Sequence, residues 1–245
     1  MLYNILGYFF FYALLGFILA EAATLLTTVY LHRSTTHCSV KFHPRVEFFM
    51  QGGLWLTTGI NRIEWAAVHR YHHNHTDVDG DPHSPILLGL WAVQLGNLFL
   101  YRKAAKRPEV LACAKNIKPT LAEETIFKSP KVGLAVGIGL LYMLVGFRFW
   151  PTLIIAGTHT FLYLFFLNNL INGWCHVRGY KNFKNKPAFN NRLIAWITMG
   201  EGLHNNHHHK PGNPSLRYKW SEVDLGWIFI RLLCSLKLAT LPTSR

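Results

Sequence analysis

Long greasy runs alternate along this chain with stretches crowded with charge and histidine. Residues 2–31 hold no Lys or Arg and a single acid, Glu21. About 20 apolar residues cross a bilayer, so this run predicts one span and is too short for two with a turn. The runs 46–58 and 86–101 fall short of a span and carry polar interruptions, which predicts helices lying at an interface or packed in a polar cap. Residues 132–147 are apolar again, FRFWP (147–151) breaks the run at Pro151, and 152–171 resume it. That predicts a hairpin of two spans, the first one short. Residues 223–241 read as a last amphipathic helix, with Arg231 and Lys237 on its polar side. The expected architecture is all-α: an integral membrane helical bundle forming a single domain over 1–245. Its spans fall near 2–31, 132–149 and 152–172, about three in number with a fourth as the alternative, and its helical cap comes from 32–131 and 173–245.

Charge gives this bundle a direction. The chain carries a net +13, and 24 of its 25 Lys and Arg lie in the two cap segments, Arg148 alone falling in the hairpin turn. The positive-inside rule then places the cap in the cytoplasm and the N-terminus outside. A basic face beside the inner leaflet favours anionic lipid as its partner over nucleic acid, for which no binding module is visible. The first run lacks the basic leader and small-residue cleavage site of a signal peptide, so it is expected to stay in the mature protein. The four cysteines, Cys38, Cys113, Cys175 and Cys234, are scattered without a CxxC pair, which fits reduced thiols better than a disulfide framework.

The 14 histidines change the picture most. His32 and His37 (HRSTTH) follow the first span, His69, His72 and His73 sit in HRYHH, and His204, His207 and His208 sit in HNNHH. Positions i, i+3 and i+4 share one helix face, and both triplets keep that spacing. Asn172 and His176, in NGWCH, form an i, i+4 pair on the helix leaving the last span. Each group lies at a predicted membrane exit or in the cap, so four segments can converge beneath the bilayer. Lone histidines are ordinarily surface or satisfied residues, and His43 and His83 are read that way. His75 and His209 sit off the pattern, and His159, within a span, is expected to hydrogen-bond a neighbouring helix. Nine patterned imidazoles are too many for one ion and suit two. Zn, Cu, Fe or Ni all accept imidazole; redox iron is favoured by the chemistry such a site would do at a membrane, activating oxygen against an unreactive chain. Asp77, Asp79 and Asp81 lack the spacing of a calcium loop and are expected to support the histidines instead.

HRSTTH, HRYHH and HNNHH resemble the three histidine boxes of the membrane fatty acid desaturases, and NGWCH resembles the extra element of the delta-9, acyl-CoA (stearoyl-CoA-like) type. EWAAVHRYHHNHTDVDGDPHSP and the stretch from GEGLHNNHH to EVDLGWIFIRLL extend the likeness over roughly residues 20–240. The resemblance implies a cone of helices whose cytosolic cap holds a non-haem di-iron centre. His32, His37, His69, His72, His73, His176, His204, His207 and His208 would be the metal ligands, with Asn172 acting through a water and no catalytic side chain beyond them. It implies O2 as co-substrate and a cis double bond, of delta-9 type, in a saturated acyl chain. Family members have four spans, and this chain starts late enough that one is expected to be lacking. No cytochrome b5 domain is appended, so electrons are expected from a separate ferredoxin- or rubredoxin-type donor and its reductase. Arg102 and Lys103, in YRKAAKRPEV, are candidates for the CoA phosphates or for lipid head groups. Trp65 and Trp174, with Trp55 and Trp196, are candidates to line the acyl slot. The context of the third box is also similar to bacterial desaturases acting on phospholipid acyl chains, so the carrier stays open and a bacterial inner membrane is the expected location. A lipid hydroxylase on the same scaffold and a metal transporter are the rival readings. A transporter would place its ligands at mid-membrane, where only His159 lies.

Overall fold

The computed structural model describes residues 2–242, almost all of whose regular structure is helical. Two continuous helices, Ile5–Thr36 of 32 residues and Phe149–Val177 of 29, are long and apolar enough to cross a membrane. At 1.5 Å per residue they reach about 48 and 44 Å, well beyond a hydrocarbon core of about 30 Å. Each therefore overshoots, and its C-terminal turns lie among polar neighbours. Gly16 meets Ile155 and Thr158, while Thr27 hydrogen-bonds Tyr163 at 2.7 Å, so the two helices run parallel and deliver both C-terminal ends to one place. Gly16 is required there: a Cβ would come within 2.7 Å of Thr158 Cβ.

The expected hairpin is present with a different outline. Its first arm, Pro130–Leu144, is 15 residues, about 22 Å, and falls short of a span by itself. The turn is made by residues 145–148, with positive φ at Gly146 (72°) and Phe147 (58°). Pro151 does not break the chain; it sits in the first turn of Phe149–Phe161, where its missing N–H costs nothing. Pro44–Thr57, expected at the interface or in the cap, instead lies along Pro130–Leu144, where Gly133 and Gly137 admit the backbone of Trp55 and Leu56. The outward faces of these helices are apolar, with Leu144 84% and Trp150 66% exposed, a surface suited to lipid.

The polar end is built from short elements. Arg62–Asn74, capped by the Asn61 side chain, carries the second histidine box. The 86–101 run divides at Gly89 into Pro85–Leu88 and Leu90–Ala104. His204–His209 carries the third box. The last helix is Leu225–Ser235, shorter than expected, because the chain then pairs Ala239–Thr240 antiparallel with Lys41–Phe42. Buried Arg33 ties the two halves: its guanidinium donates to both Asp224 oxygens at 2.8 and 3.2 Å, and Asp224 also caps the last helix through Trp227 N–H.

Candidate metal centre

Backbone geometry explains how distant histidines meet. After Leu26 the first helix widens into a π-helix over Thr27–Thr36, with His37 N–H donated to His32 C=O at 3.1 Å. An α-helix would set residues five apart about 140° from each other; the wider i→i+5 turn brings His32 and His37 to one side. Two further π-helical segments, Leu162–Leu167 and Leu170–Trp174, lie in the second long helix; the latter contains Asn172 and leads into the turn that carries His176. In the third box, Asn205 and Asn206 turn away from the histidines and fasten their helix to the cap. Asn205 Oδ1 accepts the N–H groups of Asn182 and Phe183, and Asn206 donates to Leu216 C=O and Glu222.

All nine patterned histidines converge, in two groups whose candidate ligand atoms lie within 4.8 Å of one another. His32, His37, His69, His73 and His207 form one, and His72, His176, His204 and His208 the other. In the first, Nε2 atoms lie 2.7–3.1 Å apart (His73–His207 2.7, His32–His207 3.0, His69–His73 3.0, His37–His69 3.1). In the second, His176–His204 and His204–His208 lie 3.0 and 3.2 Å apart.

The outer nitrogens are held by carboxylates. His32 Nδ1–H donates to Glu201 at 2.8 Å, His72 Nδ1–H to Asp81 at 3.0 Å, and His176 Nδ1–H to Asp77 at 2.8 Å. Each such bond fixes the tautomer that leaves the Nε2 lone pair facing inward. Lone pairs about 3 Å apart repel unless a cation lies between them. Donors about 2.1 Å from a metal and 90° apart are separated by about 3.0 Å, against about 3.4 Å for a tetrahedron. The donor set therefore fits first-row metal ions with near-right-angled ligation.

Charge agrees with that fit. Burial first, then the neighbouring imidazoles, hold His69, His73, His204, His207 and His208 well below the ordinary value of 6.5, so they are neutral at neutral pH, the state in which an imidazole can ligate a metal. Burial opposes ionisation of Asp81 and Glu201, but His72 and His32 respectively outweigh it, and both stay charged.

The remaining candidates are distributed as follows. Asp77 and Asp81 contact histidines as expected, whereas Asp79 is exposed and bonds none. His159 donates to Thr57 C=O at 2.8 Å, the structural role expected of it. His43 caps Pro44–Thr57, His75 stacks on Tyr71, and His209 on Phe183. His83 departs from its reading as a surface or satisfied residue. It is 5% exposed, neither ring nitrogen has a partner, and burial with the adjacent His72 brings it down to about 3, so it too is neutral. Glu201 was missed; its only signal was its place three residues before His204 in GEGLHNNHH.

A cavity of about 1020 Å³ runs along the two groups. His32, His69 and His204 lie in its wall, as do Asn172 and His83. Exposed Arg102, Lys106 and Lys131 border it, as do buried Thr24, Thr27 and Tyr163. Of the residues expected to meet substrate, Arg102 and Trp65 line it, and Trp65 stacks on His69 with centroids 5.0 Å apart. Lys103, Trp55, Trp174 and Trp196 do not line it: Trp174 carries the Arg178 guanidinium 5.8 Å from its ring, and Trp196 is 55% exposed.

Residues 4–221 match the family model described as fatty acid desaturase. The chain is 34% identical over 224 residues to an acyl-CoA C20 Delta5-desaturase of Anemone leveillei, covering 87% of this chain and 68% of that protein. It is 31% identical to an icosanoyl-CoA 5-desaturase of Limnanthes douglasii (95% and 65%) and 33% to Delta-9 acyl-lipid desaturase 1 of Arabidopsis thaliana (87% and 69%). It thus spans about two thirds of the length of each of these. With the model matched over most of its length and the histidine boxes gathered into two groups, the chain belongs to the fatty acid desaturase family and is an oxidoreductase of that kind.

Proposed function

We propose that this protein is a membrane-embedded, O2-dependent fatty acyl desaturase that holds two irons and introduces a cis double bond into an acyl chain carried as a CoA thioester. One observation carries the reading: both histidine groups touch a single long cavity that exposed Arg102, Lys106 and Lys131 border. The five-histidine group would hold one iron. His72, His176, His204 and His208 would hold the other, with Asn172 reaching it through a water. When bound, the irons would supply activation of O2 with two external electrons and two protons, so that two adjacent methylenes lose one hydrogen each and two waters form. A ferredoxin- or rubredoxin-type protein supplies the electrons.

The protein's own part is positioning. Asp77, Asp81 and Glu201 keep three imidazoles in the ligand tautomer. Ile60, Val68, Leu134 and Leu164 give the cavity apolar walls that exclude water and fix which methylenes face the histidines. The guanidinium and ammonium groups at the exposed border suit the CoA phosphates. The two long helices cross the bilayer, and the histidine-rich end faces the cytoplasm. The resemblance of the Asn172–His176 element to that of the delta-9 acyl-CoA type supports a delta-9 position for the double bond.

The test is the fatty acid profile, by gas chromatography–mass spectrometry, of a desaturase-deficient host expressing this chain aerobically with a ferredoxin and its reductase. A new cis-monoene, absent with His207→Ala, supports the reading, and its mass spectrum gives the bond position. A hydroxy acid in its place would move the assignment to hydroxylation.

A further inference from the structure

The sequence predicts a polar side on the last helix, and Leu225–Ser235 instead has two apolar ones. Ile230 and Leu233 are buried, with Trp227 and Phe229 half-buried beside them, in a core shared with Val29, Leu31 and Leu54. The opposite side shows Ile228, Leu232 and, just past the helix, Leu236, each more than half exposed, around a single cation, Arg231. A second short helix, Arg192–Ile197, does the same: Ile194 and Ala195 are buried, while Leu193 and Trp196 are each more than half exposed. The two helices adjoin, since Gly226 N–H donates to Met199 C=O at 2.9 Å.

Depth gives these faces a meaning. Arg148, the cation in the hairpin turn, lies beside Tyr8 and marks one edge of the bilayer. About 20 residues cross the hydrocarbon, so the first long helix leaves it near Thr28. The two short helices attach at that level. A Cβ on Gly226 would come within 3.1 Å of Thr28 Cγ2, and Ile197 packs against Ala20 and Ala23 on the membrane side of it. A helix at that depth meets headgroups and the first acyl carbons rather than bulk water. An apolar face with flanking cations and an exposed Trp suits that layer.

We propose that Arg192–Ile197 and Leu225–Ser235 form a collar seated in the headgroup layer of the leaflet at the histidine-rich end, with Leu193, Trp196, Ile228 and Leu232 among the acyl chains and Arg231 and Lys237 on anionic phospholipid headgroups. The collar is a hold on the bilayer separate from the spanning helices. Asp224 caps the last helix and binds Arg33, the neighbour of His32, so the collar also fixes the metal end against the membrane. This rests on the reading that the two long helices cross the bilayer.

The test uses the full chain in nanodiscs wide enough for two copies, spin-labelled one position at a time at Leu193→Cys, Ile228→Cys or Leu232→Cys, with Cys38, Cys113 and Cys234 replaced by alanine. Collision rates with O2, which partitions into lipid, and with a water-soluble nickel chelate give the depth of each label. Leu14→Cys, exposed at midspan, and Lys184→Cys, in an exposed loop, are the lipid and water references. The collar labels are expected to meet O2 severalfold more often than nickel, at a depth between the two references. They are expected to lie deeper in phosphatidylglycerol than in phosphatidylcholine, and Arg231→Gln with Lys237→Gln to abolish that difference. Nickel access equal to that of Lys184→Cys would overturn the proposal. So would labels shielded from both reagents and broadened by a neighbouring label, which would make the face a contact between two copies. Equal depth in the two lipids would overturn the assignment of the cations to anionic headgroups. Nickel access at Leu14→Cys would overturn the bilayer reading itself, and this inference with it.

Discussion

Glu201→Gln removes one negative charge and almost no volume. The carboxylate is buried, accepts the His32 Nδ1–H at 2.8 Å and the Thr28 hydroxyl, and lies 3.7 Å from the Arg33 guanidinium. Both bonds reach the same oxygen, so Gln can still accept them through its amide oxygen. What it loses is the charge that makes His32 a stronger donor to metal. Hydrogen bonds to charged groups contribute about 1.5–3 kcal/mol against about 0.5–1.5 for neutral ones. The difference, about 1–2 kcal/mol, is roughly 5–30-fold in iron affinity, close to the range measured when such partners are removed from metal sites. Glu201→Ala also removes the acceptor and should fall at the upper end, about 100-fold. The loss should be confined to the five-histidine group, because Glu201 touches the metal residues only through His32. Asp81→Asn should weaken the other group instead, through His72. The assay is anaerobic iron titration against a chelator, which resolves two binding steps. Unchanged affinity in Glu201→Ala, or equal weakening of both steps, would refute the argument that this carboxylate acts on one metal through one imidazole.

The exposed cations give a kinetic prediction: Arg102→Ala with Lys131→Ala should raise KM for an acyl-CoA by about tenfold or more while leaving kcat nearly unchanged, since neither belongs to the histidine groups; steady-state kinetics decide it. The metal-free protein should lose stability as pH falls below 6.5. His69, His73, His204, His207 and His208 are held neutral in the fold but bind protons near 6.5 once unfolded, each contributing a slope of up to about 1.4 kcal/mol per pH unit, measurable by denaturant titration from pH 7.5 to 5.0. Arg33→Met leaves Asp224 buried without its cation and should destabilise the protein by about 3–5 kcal/mol, read as a lower midpoint of thermal inactivation. His72→Ala and His73→Ala, adjacent in sequence, should lower occupancy of different irons, and identical Mössbauer changes in the two would refute the grouping.

The legible part of this protein was the part written in residue type and spacing. Residues 2–31 announced a long apolar helix, and the nine patterned histidines announced a shared destination, because neither signal depends on how the rest of the chain folds. The illegible parts depend on tertiary context. Nothing in LTTVYLHRSTTH says that the helix widens to an i→i+5 repeat, which is what brings His32 and His37 together. The apolar character of 132–149 was visible, but the stop at Leu144 and the partnership with Pro44–Thr57 follow from glycines meeting a neighbouring backbone. Glu201 and His83 were invisible as site residues because a lone Glu or His has no periodicity to betray it.

The HxxHH spacing itself carries more than the shared face it first suggested. At 100° per residue, the i+4 side chain lies about 40° to one side of residue i and the i+3 side chain about 60° to the other. The structure uses that divergence. In Arg62–Asn74 the i, i+4 pair His69 and His73 enters the five-histidine group and the i+3 residue, His72, enters the four-histidine group. In His204–His209 the assignment is reversed, His204 and His208 joining the four-histidine group and His207 the other. Each helix therefore straddles both groups, one favouring the first and one the second. A rotation of either helix that improved one group would spoil the other, so the fold holds both only at one setting. That explains why each of these two boxes carries three histidines, and the carboxylates that hold the rings come from two places in the chain, the turn that carries Asp77 and Asp81, and Glu201.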